Sequence, residues 1–250
     1  MPDPGQPQKI AAHRGLSGRY PENTLLAFDA ARQAGVHWIE TDISMLKDES
    51  LILFHDEVQG RTVAGDKRLC DALWADFADA DAGVWKAPEF AGQTVLRLTE
   101  FLDWAQGFGL SVNLEIKGHG GRQKQIADRL SAALSQRPVQ NIVLSSFDLD
   151  LLSYLRAENP SFRLASIHDR WPQTLSGLKQ DLAVEAVHLD HRLITGPDDV
   201  RFVQDHKLCV RVWTVNDPGR AEQLFNWGVD MVMSDYPDRL LAAGLSAVSD

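Results

Sequence analysis

Cysteine is nearly missing from this chain, positive charge is outnumbered, and no apolar run is long. Cys70 and Cys209 are the only two cysteines in 250 residues. They lie too far apart for a zinc or redox motif, so no disulfide framework is expected and both read as buried structural thiols. No stretch approaches the ~18 consecutive apolar residues that a membrane span needs. Met1 to Lys9 is rich in proline, glutamine and glycine and lacks the apolar centre of a signal peptide. Export and membrane insertion are therefore not expected, and a cytoplasmic location is. Lysine plus arginine number 25 against 35 for aspartate plus glutamate, a net charge of −10. That field repels nucleic-acid backbone and anionic membrane alike, so any phosphate site has to be local. No glycine-rich dinucleotide fingerprint follows the first apolar run, which argues against a Rossmann fold.

Hydrophobic residues make up 44% of the chain, enough for one sizeable core, and short β-rich runs alternate with amphipathic stretches. Eight runs qualify as strands: Ile10–His13, Trp38–Asp42, Val112–Ile116, Ile142–Ser145, Leu164–Ile167, Ala186–Leu189, Val210–Val215 and Met231–Ser234. Helix signals lie between them. Asn23 or Thr24 opens an alanine-rich helix ending near Gly35, and Asp148 opens another that runs to Asn159 before Pro160. Eight βα units predict a TIM (β/α)8 barrel, whereas six or fewer would leave an open doubly wound sheet. One stretch breaks the rhythm, because Leu51–Phe54 follows the second strand too soon for a crossover helix. Lys47–Glu49 reads as a hairpin turn and 46–95 as a small insertion subdomain inside a single domain spanning 1–250. Trp74, Trp85 and Phe90 are expected to form the insertion's own core.

The site of such a barrel lies at the C-terminal ends of its strands, so polar residues ending the apolar runs are the candidates. The first run ends in His13 and Arg14, the second carries Glu40 and Asp42, and the third carries Glu115 and Lys117. Positions i and i+2 share a strand face, so each of the last two pairs can point into one cavity. Three converging carboxylates repel one another unless a cation intervenes. Oxygen donors without thiolate favour Mg²⁺, Ca²⁺ or Mn²⁺ over zinc; ion pairs with Arg14 and Lys117 are the alternative use of these acids. His55 with Asp56 ends the hairpin strand and brings a second imidazole to the same mouth. Two histidines across a substrate suit proton transfer near neutrality, although either could instead be a metal ligand or a core histidine. Arg14 and Lys117 supply the local positive charge that an anionic substrate such as a phosphate needs. Phe147 and Trp213 end strands and are candidates for an aromatic pocket wall, with core packing as the alternative. His188 and Asp190 end the sixth strand; His37, His119, His168, His191 and His206 read as surface or structural.

These residues resemble the glycerophosphodiester phosphodiesterase family, whose pattern begins His-Arg, continues Glu-x-Asp and closes His-Asp. Here that is His13-Arg14, Glu40-Thr41-Asp42 and His55-Asp56. Pro21-Glu22-Asn23-Thr24, Arg61-Thr62, Asp81-Ala82-Gly83, Asn113-Leu114-Glu115-Ile116-Lys117, Trp213-Thr214-Val215-Asn216 and Ser234-Asp235-Tyr236-Pro237 extend the likeness over nearly the whole chain. Val187-His188-Leu189-Asp190-His191 is most similar to the short cytoplasmic bacterial form. The resemblance implies that Glu40, Asp42 and Glu115 hold a divalent metal, Mg²⁺ or Ca²⁺ with Mn²⁺ as a further choice. It implies that His13 and His55 act as acid and base, and that Arg14 and Lys117 bind the phosphate of a small glycerophosphodiester, giving glycerol 3-phosphate and an alcohol. Val84, within the insertion, and Leu96, at its edge, depart from the family's habit. Three rivals are a phospholipase releasing cyclic phosphate, a non-catalytic phosphodiester-binding barrel and a metal-dependent aldolase or isomerase.

Overall fold

A computed structural model describes residues 9–245. The segment before Lys9, on which the expectation about export mostly rests, lies outside the described residues. Parallel strands β1 (Ile10–His13), β2 (Trp38–Met45), β4 (Ser111–Ile116), β5 (Ile142–Ser146), β6 (Arg163–His168), β7 (Ala186–Asp190), β8 (Cys209–Trp213) and β9 (Met231–Ser234) form one sheet together with the short β3 (Leu51–Leu53). The sheet closes where β1 pairs with both β2 and β9. β3 pairs antiparallel to β2 and stays outside the circle, so the eight parallel strands make a TIM barrel. The expected runs coincide with these strands, the largest displacements being β2, which runs on to Met45 rather than Asp42, and β8, which begins at Cys209 and stops at Trp213 rather than Val215.

Helices α1 (Leu25–Gln33), α2 (Leu98–Gly107), α3 (Gln123–Leu134), α4 (Leu149–Glu158), α5 (Leu175–Asp181), α6 (Pro197–Asp205), α7 (Pro218–Asn226) and α8 (Pro237–Ala242) follow the barrel strands in turn. Thr24 caps α1 by accepting from the Ala27 amide, and Asp148 caps α4 by accepting from Leu151, each satisfying an otherwise orphaned helix donor. The inward face of α2 is Leu98, Phe101, Leu102 and Ala105, the spacing of one apolar stripe on a helix. These stripes and the outward faces of the strands form the main core between sheet and helices. Inside the barrel, Trp38 packs against Ala11, Met231 and Met233 on one side and Val143, Ala165 and Ala186 on the other. The lower barrel is thus filled, and any cavity must open at the upper end.

Between β2 and α2 the chain leaves the barrel. Its core consists of Leu46, Ile52, Phe54, Val63, Leu69, Ala72, Phe77, Ala82 and Val95, with Trp74 at the edge. The expectation for Trp85 and Phe90 needs correcting. Trp85 lies beneath the cations of Arg61 and Lys86, and Phe90 packs on Tyr20 of the β1–α1 loop. Phe54 and Phe77, edge to face at 5.4 Å, do the packing instead. The cysteines also differ from expectation, since Cys70 is only half-buried and Cys209 is exposed at the start of β8. No helix among the described residues is long and apolar enough to cross a membrane.

Candidate active site

Register assembles the upper end of the barrel. His13 of β1 lies beside Glu40 of β2, Glu40 beside Asn113 of β4, and Asp42 beside Glu115. A cavity of about 270 Å³ opens there, lined by His13, Arg14, Glu40, His55, Asn113, Glu115, Lys117, Phe147, Ile167, His188, Trp213, Thr214 and Met233. Every expected site residue but one is in this lining. Asp42, 0% exposed, lies beneath it. Phe147 and Trp213 meet edge to face at 5.8 Å, so they stand as a wall of the cavity rather than in the core.

The loop after β1 is bent to present its side chains. Arg14 and Gly15 have φ of +57° and +85°, the left-handed region that costs a non-glycine residue energy and is kept where geometry demands it. In that turn the Arg14 amide donates to the Glu40 carbonyl at 2.9 Å and to Glu40 Oε2 at 3.1 Å. The guanidinium reaches Glu22 at 2.9 Å and lies 3.0 Å from Asp42 Oδ2.

Ligand oxygens of Glu40, Asp42 and Glu115 lie within 4.8 Å of one another. Oxygens sharing one divalent cation at about 2.0–2.6 Å from it span up to about 4–5.2 Å, so this cluster falls within that reach. Lys117 pairs with Glu115 and lies 2.8 Å from Asp42 Oδ1, so the ion pairs weighed as an alternative use of these acids do exist. They do not exhaust the acids. Asp42 Oδ1 is buried against the Lys117 ammonium, whereas Glu40 has no lysine or arginine side chain paired to it among the described residues. Burial, with Asp42 and Glu115 adding repulsion against the pull of His13 and Arg14, pushes the Glu40 carboxyl up to about 8. Burial likewise opposes ionisation of Asp42, but Lys117, Arg14 and His55 hold it well below the usual carboxylate range. One protonated and one ionised acid side by side, with a third carboxylate oxygen within 4.8 Å of both, is a set that a divalent cation fits.

Each histidine is held by a carboxylate on the same ring nitrogen. Asp235 Oδ1 is 2.6 Å from His13 Nδ1 and Asp56 Oδ1 is 2.8 Å from His55 Nδ1. An ionised carboxylate only accepts, so both rings carry the proton on Nδ1 and keep Nε2 for chemistry. Burial disfavours a charged His13, yet Glu40 and Asp235 together raise its proton affinity above the ordinary value. Asp235 is itself fixed by Ser17 and Asn216 and, against its burial, held down at about 2, chiefly by His13. Asp235 was not singled out from the sequence, where only its place in the Ser234–Pro237 string marked it. His119 was set aside there as surface or structural; it is half-buried, and a hydrogen bond to the His55 backbone opposes the lowering of its pKa by burial. His188 lines the cavity and is kept neutral by burial and by the Arg211 guanidinium. Asp190 instead pairs with Arg192 outside it.

Residues 13–239 match the model of the glycerophosphoryl diester phosphodiesterase family. A glycerophosphodiester phosphodiesterase of Bacillus subtilis is 31% identical, with 91% of this chain and 83% of that protein covered. Among solved structures, a phosphodiesterase of Oleispira antarctica in complex with the product sn-glycerol-3-phosphate superposes with a TM-score of 0.90 at 30% identity, covering 96% of this chain and 98% of that one. A glycerophosphodiester phosphodiesterase from Agrobacterium tumefaciens superposes at 0.81 with 26% identity, covering 94% and 100%.

Proposed function

The chain belongs to the glycerophosphoryl diester phosphodiesterase family and is a phosphoric diester hydrolase, and we propose that it cleaves small glycerophosphodiesters, among them glycerophosphocholine and glycerophosphoethanolamine, with two histidines and a divalent metal. The products are glycerol 3-phosphate and the free alcohol. The observation that carries this reading is a single cavity in which His13 and His55, each oriented by a carboxylate, meet the cluster of Glu40, Asp42 and Glu115. Binding alone requires no second oriented proton-transfer group.

Glu40, Asp42 and Glu115 are the residues that would hold the metal, Mg²⁺ or Ca²⁺ with Mn²⁺ as a further choice. When bound, it supplies Lewis-acid stabilisation of charge on the phosphoryl oxygens. Arg14 and Lys117 line the same cavity and are positioned to share that negative charge with the protein's own cations. One histidine takes the proton of the attacking oxygen through Nε2 while the other delivers a proton to the leaving alcohol, each contributing roughly 10²–10⁴-fold. Phe147 and Trp213 offer an apolar wall for the carbon skeleton of the substrate. The barrel with its 46–95 insertion acts as one domain over the described residues 9–245. The net negative charge and the small-molecule cavity fit a cytoplasmic enzyme whose partner is its substrate, with neither nucleic acid nor bilayer involved.

The test is release of glycerol 3-phosphate from both diesters after EDTA treatment and after adding back Mg²⁺, Ca²⁺ or Mn²⁺. Metal-restored release that Glu115→Ala lacks is expected, and phosphorus NMR of the products distinguishes a monoester from a released cyclic phosphate. An enzyme fully active in EDTA would sink the metal assignment. No release under any metal would sink the substrate assignment.

A further inference from the structure

We propose that Arg61, in the insertion, is a positioning residue that clamps Asp56 and Glu22 at once and thereby fixes His55 and Arg14 relative to each other. The inference rests on the functional reading above for what His55 and Arg14 do, and on geometry alone for the clamp.

Arg61 uses all three of its nitrogens. Nε and Nη2 donate to the two oxygens of Asp56 at 2.6 and 3.0 Å, while Nη1 and Nη2 donate to the two oxygens of Glu22 at 2.7 and 2.8 Å. Both carboxylates are thus gripped in the bidentate fork that a planar guanidinium makes and an ammonium cannot. Each then faces the site with a second contact. Asp56 accepts from His55 Nδ1, and Glu22 accepts from Arg14 Nη1, whose Nε lies 3.0 Å from Asp42. The path His55, Asp56, Arg61, Glu22, Arg14, Asp42 is continuous, and along it Arg61 joins the insertion to the β1–α1 loop, beside the Phe90–Tyr20 contact and the Lys86–Ser17 hydrogen bond.

Stability is an incomplete explanation for such a grip. The Arg61 side chain is 43% exposed, and only its bidentate geometry lifts it above the small contribution of an ordinary surface ion pair. Orientation is a better one, because His55 sits past the end of β3 in a loop, without a barrel strand of its own to set it. Without the clamp, Asp56 is free to turn toward solvent. His55 then loses the acceptor that keeps its proton on Nδ1, and Arg14 loses one of its two acidic anchors.

Nitrogen NMR of the full-chain protein labelled in histidine reads this directly, with His55 assigned by the signals that His55→Gln removes. The wild type is expected to show His55 as one tautomer protonated on Nδ1, and Arg61→Gln to show a mixture of tautomers. Kinetics with glycerophosphocholine should show kcat falling about 10–100-fold in Arg61→Gln with a smaller change in KM, the usual scale for groups that orient a ligand or catalytic side chain. Arg61→Lys should recover only part of that loss, and the melting temperature should stay within about 3 °C of wild type. His55 signals unchanged in a folded Arg61→Gln protein would overturn the proposal whatever its activity. A large fall in melting temperature with those signals intact would reduce Arg61 to structural support and overturn it equally. Absence of hydrolysis by the wild type would count against the functional reading, while the tautomer comparison would still decide the clamp.

Discussion

At the level of single side chains, the chemistry of the site rests on carboxylates in opposite states a few ångströms apart. Glu40 and Asp42 differ by two positions on one strand, yet Glu40 is raised to about 8 while Asp42 is held well below its ordinary range. The difference is their neighbours, since Lys117 and Arg14 lie on Asp42 and carboxylates press on Glu40. This has a consequence for stability. A carboxyl whose folded pKa exceeds its unfolded value of 4.5 stabilises the fold fully below that value and loses the contribution as pH rises through about 8. His13, raised above 6.5, adds to the loss in the same direction. In EDTA the melting temperature is expected to drop between pH 6 and pH 8.5, by an amount on the order of a few kcal/mol in free energy. Mg²⁺ or Ca²⁺ should remove the drop by taking the place of the proton on Glu40, and Glu40→Gln should abolish much of both effects. Equal melting temperatures at the two pH values in EDTA would contradict a raised Glu40 carboxyl. The types and spacing of these residues could be read from sequence, because two-residue periodicity on a strand is local. Asp235 could not be assigned to His13, since 222 positions separate them and only closure of β1 onto β9 makes them neighbours.

Among the elements, the β1–α1 connection does most to position the site, and glycine is required at one of its positions. A Cβ on Gly15 would sit 2.7 Å from the Ala27 backbone carbon and 2.8 Å from the Ala27 Cβ, at a φ of +85°. Neither contact belongs to a flexible side chain that could turn aside. Gly15→Ala should therefore destabilise the fold by at least about 2 kcal/mol, combining the left-handed penalty with overpacking against α1. It should also lower kcat by displacing His13 and Arg14. Urea unfolding and the hydrolysis assay check both, and a variant as stable and active as wild type would show that the loop yields where the geometry says it cannot. The α4 cap was legible outright and the α1 cap to within one residue, Asn23 or Thr24, because Thr24 and Asp148 act on amides three residues away. The insertion was less so. Trp85 and Phe90 are large and aromatic, which made them core candidates by composition. Trp85 meets Arg61 and Lys86 of the insertion itself, and Phe90 meets Tyr20, which only folding the insertion against the β1–α1 loop brings to it.

Across the molecule, two cores carry two tasks. The barrel core fixes Glu40, Asp42, Glu115, Lys117 and His13, while the smaller cluster around Phe54 and Phe77 carries the segment that delivers His55, Asp56 and Arg61. Phe77→Ala removes a fully buried ring from the smaller cluster and should cost about 3–5 kcal/mol there. Hydrogen exchange is expected to speed up over 46–95 with the barrel strands still protected, and activity should fall with it. Uniform loss of protection through the barrel would mean that the two cores unfold as one. The eight strands, their helices and the residue types at the strand ends follow from the order of residues along the chain, because hydrophobic periodicity and caps act over a few positions. Which acid is protonated, which carboxylate orients which histidine, and the grip of Arg61 on both sides of the mouth depend on closing the sheet and folding the insertion onto it. Those charges and hydrogen bonds act through space between residues that lie far apart in sequence, and no local pattern encodes the distance between them.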